Sequence, residues 1–309
     1  MRALGHFLAF ASVFLWSSLY VSVKILLEVF SPLELLFLQF IIGYCFLLLI
    51  APRLLKSALK SELYFLLAGL CGITIYNLFL NLAMDISKAS NVSVIIATAP
   101  LFTALLANFL KIEKLSFVFF PAFVLCMSGI VLLSYEEGGF AFNPLGDTLA
   151  FLSALGWAAY SLLILKIMQK ANNLILVTRR IIFYGILGML PSFFFLDFSP
   201  NLANLLDLKV TLNLLFLSLF AGGLCFLLWN RATLLIGAVK TNIYVYLTPI
   251  ITIITSFFVL EERLSMLALV GAFLTLLGVI LAESKISKNL KQKLSQLLRA
   301  NPHQPPSIP

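Results

Sequence analysis

The sequence consists largely of long apolar runs separated by short polar breaks. A membrane-spanning helix needs about 20 predominantly apolar residues, and ten runs approach or exceed this length. Strand-type alternation is absent over these runs, so helices are expected and a barrel is not. The mean hydropathy of +1.07 and the 11% share of charged residues also lie far outside soluble-domain usage. The predicted spans are residues 4–26, 33–51, 63–83, 91–110, 116–134, 148–168, 174–195, 211–231, 240–260 and 265–283.

The sequence therefore predicts an all-α integral membrane protein with ten transmembrane helices. The run after Arg2 is too long for a signal peptide and has no clear cleavage site, so it is retained as the first span. The four cysteines all fall within spans without metal-type spacing, and the two histidines, His6 and His303, lie near the ends of the sequence. No metal site, cofactor or Cys/His catalytic site is predicted.

The distribution of lysine and arginine predicts the orientation of the chain. Basic loops stay on the cytoplasmic side during insertion. With ten spans and a cytoplasmic amino terminus, most bases fall on the cytoplasmic side, and only Lys24, Lys88, Lys209 and Arg263 fall outside. Both termini are therefore predicted to be cytoplasmic. The net charge of +8 follows from this orientation, and no nucleic-acid partner is expected.

One design occurs twice along the chain. The stretch TAPLFTALLANFLKIEKLS at 98–116 matches LTPIITIITSFFVLEERLS at 247–265, with an offset of 149 between paired residues. Earlier in each half an offset of 141 joins Trp16 to Trp157. Because five spans is an odd number, the second copy must enter the membrane from the opposite side. The sequence predicts two inverted five-helix repeats, an arrangement that many secondary transporters use.

This repeat sets the predicted domain organisation. Residues 1–140 form the first five-helix repeat and residues 141–284 the second. Residues 285–309 form a basic tail in which leucines recur at helical spacing among lysines, followed by NPHQPPSIP. This pattern is typical of a short amphipathic helix on the anionic inner leaflet, followed by a disordered end.

The chain resembles the drug/metabolite transporter superfamily, specifically its EamA-type branch of ten-helix proteins. The resemblance covers nearly the whole chain to about residue 283. It implies a carrier of small metabolites, typically in a bacterial inner membrane, with a cavity lined chiefly by helices 1, 3, 4, 6, 8 and 9. The helix-2 arginine usual in this family is Gln39 here, although its repeat partner Arg180 is retained. The segments that carry the resemblance are FLWSSLYVSVK, NLAMDISKASNVSVIIATAPLFTALLANFLKIEKLS, NRATLLIGAVKTNIYVYLTPIITIITSFFVLEERLS and GAFLTLLGVIL.

The predicted substrate pathway consists of aromatic and amide side chains inside or near the spans, together with one base. Interfacial belts explain many Trp and Tyr residues, and contacts between helices explain many Asn residues. Trp16, Trp157 and Tyr160 lie too deep for a belt. Pro100 and Pro249 are predicted to kink helices 4 and 9 and to shape the cavity, a simple bend being the alternative. The pathway residues are Trp16, Tyr20, Tyr76, Asn77, Trp157, Tyr160, Arg180, Trp229, Asn242 and Tyr246.

The charges within the spans constrain the substrate and its coupling. No Asp or Glu lies at the centre of a span, so proton coupling through such a carboxylate is not expected. The bases Lys24, Arg179 and Arg180 favour an anionic or carboxylate-bearing solute. For Arg179, snorkelling to the interface is the alternative.

The sequence favours a metabolite exporter or exchanger for amino-acid-like, other carboxylate-bearing or amphipathic solutes. Uptake or exchange of S-adenosylmethionine or a related nucleoside-type metabolite is the second hypothesis. A membrane enzyme or scaffold is the third, and no convergent catalytic groups support an enzyme. The expected partners are the lipid bilayer and a small-molecule substrate, with the chain acting as a monomer or homodimer.

Overall fold

The structure is a computed structural model. It describes residues 1–53, 55, 58–87, 92, 95–112, 114, 117, 119–133, 143–171, 173–248, 250–251, 254–255, 266–267, 270–271 and 273–281. The statements below refer to these residues.

Within the described residues ten helices follow one another, one overlapping each of the ten predicted spans. No strand occurs within the described ranges. In chain order they are α1 (Arg2–Ser18, continued by Tyr20–Leu27), α2 (Pro32–Ile50), α3 (Leu59–Ile86), α4 (Ala99–Phe109), α5 (Phe119–Leu133), α6 (Pro144–Met168), α7 (Leu174–Phe194), α8 (Leu208–Ile236), α9 (Ala238–Ile243, continued by Tyr244–Leu247) and α10 (273–281).

Five of these helices are long and apolar enough to cross a membrane, namely α2, α3, α6, α7 and α8. The described parts of α4, α5 and α10 are shorter, and α1 is broken at Leu19. The all-helical prediction is confirmed. Below, the amino-terminal face is the side on which α1 begins, and the opposite face is the side on which α1 ends.

The two halves interlock through equivalent contacts. Helix α1 packs along α8, and its repeat counterpart α6 packs along α3. At the α5–α10 interface a Cβ added at Gly129 would lie 2.4 Å from Thr275 Oγ1, and one added at Gly278 would lie 2.4 Å from Cys126 Sγ. Gly129 pairs with Gly278 and Cys126 with Thr275 at the offset of 149. The two close contacts are therefore related by the pseudo-two-fold axis of an inverted repeat.

Helices α3 and α8 each contain a π-helical segment at repeat-related positions. The segments are Leu70–Ile75 and Phe220–Leu224. The Tyr76 N–H donates to the Cys71 carbonyl, and the Cys225 N–H donates to the Phe220 carbonyl. Each of these bonds joins an N–H to the carbonyl five residues earlier. When the following N–H returns to the α-helical pattern and bonds the carbonyl four residues earlier, it skips one carbonyl, which is left without a backbone donor. The next residues are Gly72 and Ala221, which are themselves repeat partners.

Helices α4 and α9 both depart from α-geometry just before their prolines. A turn at Ala97 and Thr98 precedes the first turn of α4, which contains Pro100. Helix α9 becomes a 3-10 helix over Tyr244–Leu247. Proline removes an intrahelical donor and clashes with the preceding turn, which accounts for the interruption before Pro100. Pro249 lies outside the described residues.

The α7–α8 connection crosses the opposite face as a strap (residues 195–207) against the α1–α2 turn. Glu34 is buried and accepts hydrogen bonds from the Ser31 and Ser199 N–H groups, each at 2.9 Å. Its bond to Ser31 also completes the capping box that starts α2. The Asn204 amide donates to the Val29 carbonyl at 3.4 Å. These bonds tie the second half to the first.

On the amino-terminal face, Arg179 performs a capping role. It is 4% exposed and donates to the carbonyls of Ala51 and Arg53, where α2 ends. A base that satisfies terminal carbonyls is a helix cap. The guanidinium therefore neither snorkels freely nor faces the cavity described below.

Some sequence features fall outside the described residues. These are Pro249, the loop at 136–139 and the tail from 282 onward. The backbone of Tyr20 and Lys24 is described, but their side chains are not.

Candidate functional site

A cavity lies between the two halves and extends from mid-membrane toward the opposite face. The space between its walls and at its mouth comprises about 860 Å³, which includes open solvent. On α1 and α3 its lining residues lie in the halves that end at the opposite face. The lining consists of Val13, Trp16, Leu19, Val23, Gln39, Tyr76, Asn77, Leu80, Asn81, Met84, Ile96, Trp157, Leu217, Ala221, Phe226, Val245 and Thr248.

Aromatic rings form the wall and floor of the cavity at mid-membrane. The Trp16 and Trp157 rings meet edge to face with centroids 5.4 Å apart. Tyr76 lies 4.7 Å from the Trp157 ring. Beneath them Trp229, which is fully buried, contacts Trp16 at 5.6 Å and Trp157 at 5.1 Å. Packed rings in such edge and tilted arrangements form a rigid surface for an apolar or aromatic solute.

Side chains beside the cavity donate hydrogen bonds to the two carbonyls that the π-helical segments leave without a backbone donor. The Asn77 amide donates to the carbonyls of Gly72 and Ile73, each at 3.0 Å. The Trp16 indole donates to the Ala221 carbonyl at 3.5 Å. Gly72 and Ala221 occupy equivalent positions in the repeats, although their donors differ. Two cavity residues are thus positioned by the irregular turns of α3 and α8.

A buried layer on the amino-terminal side of the cavity fixes these rings. The Trp157 indole donates to Asn242 Oδ1 at 3.0 Å. The Tyr160 hydroxyl donates to Asn230 Oδ1 at 2.7 Å, and the Asn230 amide donates to Thr178 Oγ1 at 3.0 Å. Buried polar groups in low dielectric rigidify their surroundings when their bonds are made.

Arg180 lies away from the cavity and forms an ion pair. Its Nε is 3.0 Å from Glu62 Oε2 and its Nη2 is 3.1 Å from Glu62 Oε1. The Tyr184 hydroxyl donates to the same carboxylate. This two-bond geometry is the strong form of an Arg–carboxylate contact. In this structure the charge of Arg180 is compensated by Glu62.

The lining residues are neutral. The polar ones are Gln39, Tyr76, Asn77, Asn81 and Thr248, together with the tryptophan indoles. Among the described residues no group of three or more His, Cys, Asp or Glu side chains could hold a metal ion. The arrangement can hold a solute by stacking, apolar contact and hydrogen bonds.

The structure distributes the predicted pathway residues between two layers. Trp16, Tyr76, Asn77 and Trp157 line the cavity. Tyr160, Trp229 and Asn242 are fully buried behind it. Tyr246 lies in a separate cluster with Cys126 and Ala97, and Arg180 pairs with Glu62. The side chain of Tyr20 and the placement of Pro249 are not among the described features.

Several lining residues were not among the predicted pathway residues. Gln39, Asn81 and Thr248 are the polar ones. A sequence signal was available, because Asn81 and Asn230 are a repeat pair and Gln39 is the partner of Arg180. The apolar lining residues, such as Leu80 and Met84, cannot be distinguished by type from residues that face lipid.

Comparisons with known proteins agree with the two-repeat architecture. The model of the EamA-like transporter family matches residues 3–135 and 144–283. The chain is similar to the uncharacterized transporter YdfC of Bacillus subtilis, with 25% identity over 89% of each chain. It is also similar to an uncharacterized transporter of Archaeoglobus fulgidus, with 26% identity over 92% of this chain and 99% of the relative.

One solved crystal structure shares the fold. The TM-score is 0.76 and the sequence identity 20%, and the match covers 94% of this chain and 99% of the other. At this identity the likeness concerns the fold alone.

Proposed function

The chain belongs to the EamA-like transporter family, and from that premise we propose that it carries small amphipathic metabolites across a bacterial inner membrane by alternating access. The family and the names of its relatives point to a membrane transporter. The substrate class, the membrane and the transport cycle are our proposals.

The observation that carries this proposal is the composition of the cavity. Three repeat pairs line it together: Trp16 with Trp157, Asn77 with Phe226, and Ile96 with Val245. Residues that face each other across a pseudo-two-fold axis remain at the centre when two inverted halves exchange conformations. A solute held between them would be in contact with both halves in either orientation.

The lining supports a small solute with an apolar or aromatic body and a few hydrogen-bonding groups. Amino-acid-like and other carboxylate-bearing solutes fall in this class. Their acceptor oxygens would meet neutral donors, such as the amides of Gln39 and Asn81, because no described lining residue is charged. Neutral amides can hold such groups without the cost of burying an uncompensated protein charge.

The aromatic wall also supports the second hypothesis, S-adenosylmethionine or a related nucleoside-type metabolite. Trp16, Tyr76 and Trp157 together offer faces and edges on which a purine could stack.

The basic loops support an orientation in which the amino-terminal face is cytoplasmic. The cavity would then open to the outside. Both termini would be cytoplasmic, and the chain would act as a monomer or homodimer in the bilayer, without nucleic acid.

Uptake into proteoliposomes tests the proposal. The purified chain would be offered labelled amino acids, aromatic carboxylates, nucleosides and S-adenosylmethionine, with protein-free liposomes as background. We expect saturable, concentrative or counterflow uptake of at least one class, reduced by Trp157→Ala. Phe194→Ala is the matched control, because this aromatic residue is 87% exposed on α7 and lies away from the cavity. Absence of uptake for every class would refute the proposal.

A further inference from the structure

The internal repeat assigns every cavity residue of the first half a counterpart in the second. Six of these counterparts lie toward the amino-terminal face. One is Ile164, the partner of Val23, and the other five are what we call the counterpart set. In an inverted repeat, residues that line a cavity open to one face correspond to residues that line a cavity open to the other. The pairs are Leu19 with Tyr160, Gln39 with Arg180, Leu80 with Trp229, Asn81 with Asn230, and Met84 with Thr233.

Four of the five members of the counterpart set are packed shut in this structure, and only Arg180 is partly exposed. Tyr160, Trp229, Asn230 and Thr233 are all 0% exposed. Near the amino-terminal face, α1 contacts α8 so closely that a Cβ added at Gly5 would lie 2.6 Å from Ile236. Four cavity-lining residues of the first half thus have repeat partners in the second half that are inaccessible to solvent.

Two atoms of the counterpart set are hydrogen-bonding groups without a described partner. They are Trp229 Nε1 and Thr233 Oγ1, both buried and one helical turn apart on α8. A buried polar group without a partner carries a free-energy penalty. Their positions are explained if they acquire a partner in another conformation.

We propose that the counterpart set forms a second half-site, which opens to the amino-terminal face when the described cavity closes and binds the acceptor oxygens of a carboxylate-bearing solute. This inference rests on the alternating access proposed above. It adds a location, a ligand chemistry and a difference between the two faces.

The chemistry of the second half-site differs from that of the described cavity. Three apolar lining residues, Leu19, Leu80 and Met84, have the hydrogen-bond donors Tyr160, Trp229 and Thr233 as counterparts. In a fourth pair the neutral Gln39 corresponds to a guanidinium. More donors and a positive charge favour a carboxylate over a neutral solute. Such a solute therefore binds more tightly at the amino-terminal face.

Arg180 takes its place in this half-site by exchanging partners. The guanidinium holds both carboxylate oxygens of Glu62, and a substrate carboxylate presents the same two-oxygen geometry. The side chain of Arg180 is 34% exposed, so it is accessible to an incoming anion. Exchange of one carboxylate for another leaves the arginine charge compensated throughout.

Thiol accessibility tests whether the half-site opens. Thr233→Cys and its mirror Met84→Cys would be made in a chain whose four native cysteines are replaced, in membrane vesicles of known orientation. A membrane-impermeant cationic methanethiosulfonate is the probe. We expect Met84→Cys to react from the opposite face and Thr233→Cys only from the amino-terminal face. Blocking Met84→Cys first, in the double variant, should suppress the second reaction.

Transport by the same cysteine variants separates this inference from the proposed function. A Thr233→Cys chain that transports a panel solute but never reacts from the amino-terminal face overturns the half-site and leaves the transporter assignment intact. If the cysteine-free parent chain transports no panel solute and Thr233→Cys never reacts, both proposals are refuted. Reaction from both faces at once would mean a continuous pore and would also overturn the inference.

A matched pair of solutes tests the ligand chemistry. Phenylacetate and phenylacetamide have the same ring, and only the first carries a carboxylate. We expect phenylacetate to protect Thr233→Cys at about one-tenth of the concentration needed for Met84→Cys, the effect of one charge-assisted hydrogen bond. Phenylacetamide should protect both thiols at similar concentrations.

Substituting each of the repeat partners Gln39 and Arg180 by the residue type of the other supplies the control. Arg180→Gln should remove the advantage of phenylacetate at Thr233→Cys, whereas Gln39→Arg should create one at Met84→Cys. If Arg180→Gln weakens protection by the acid and the amide equally, or if neither solute protects either thiol, the assignment of a carboxylate ligand is overturned.

Discussion

At the scale of single residues, the candidate site depends more on Trp157 than on any other described side chain. It contacts Trp16, Tyr76 and Trp229 and donates to Asn242. We predict that Trp157→Ala raises the half-saturation concentration for transport about tenfold, through loss of aromatic contact. Trp157→Phe, which keeps a ring but loses the indole N–H, should have a smaller effect. Rates must be normalised to membrane-inserted protein, because removal of a buried tryptophan also costs stability.

Residue types alone predicted part of this site. The depth and pairing of Trp16 and Trp157 marked them as pathway residues, and both line the cavity. Tyr160 has the same depth and type but is 0% exposed behind them. Sequence position gives depth in the membrane, whereas the direction of a side chain depends on helix rotation. In α3 and α8 that rotation is altered by π-helical segments that no residue pattern announced.

At the scale of helices, two glycines of the π-helical segments, Gly72 and Gly223, are packed to different tightness. A Cβ added at Gly72 would lie 2.3 Å from the Tyr160 ring, whereas one added at Gly223 would lie 3.3 Å from Phe46 Cδ1. We predict that Gly72→Ala destabilises the protein by about 1–3 kcal/mol through overpacking, and that Gly223→Ala has little effect. Thermal unfolding of the two purified variants provides the comparison. Equal melting temperatures would show that the Tyr160 ring moves aside freely.

Pro100 supports a second prediction about helices. It follows the turn at Ala97 and Thr98 in a span whose earlier residues are also helical. Pro100→Ala restores the N–H that could bond to the Ile96 carbonyl. We expect insertion to be unchanged and transport to slow severalfold, since Ile96 lines the cavity.

The control for Pro100→Ala is Pro144→Ala. Pro144 is the first residue of α6, where no intrahelical donor is lost. Transport should therefore survive this substitution. Wild-type rates in both variants would reduce Pro100 to a packing residue.

At the scale of the whole molecule, the orientation of the two halves can be tested directly. A cysteine placed in the loop at 136–139 should react with an impermeant thiol reagent from outside the cell, and one placed at Lys170 should not. The loop joins the halves and the lysine follows α6, so the two sites lie on opposite faces of a ten-span chain. The reverse reactivity would invert the proposed orientation, and reaction of both sites would contradict the ten-span topology.

The two-repeat architecture could be predicted because paired residues of the same type recur at fixed offsets along the sequence. The offsets that join Trp16 to Trp157 and Gly129 to Gly278 imply two halves, and the odd number of spans implies inversion. The face to which the cavity opens could not be predicted. In the alternating access proposed above, both orientations share one sequence and would differ in packing, for example at the contact of Gly5 with Ile236.

The strap over the opposite face makes the two repeats unequal in length. Paired residues of the two halves differ by 141 in number up to α2 and α7, and by 149 from α3 and α8 onward. The α7–α8 connection of the second half is therefore longer than the α2–α3 connection of the first. A duplicated ancestor with identical halves would have occupied its two orientations equally, because exchange of the halves converts one into the other. The added segment binds Val29 and Glu34 on one face only. Under the alternating access proposed above, we expect this insertion to favour one resting orientation even when no solute is bound.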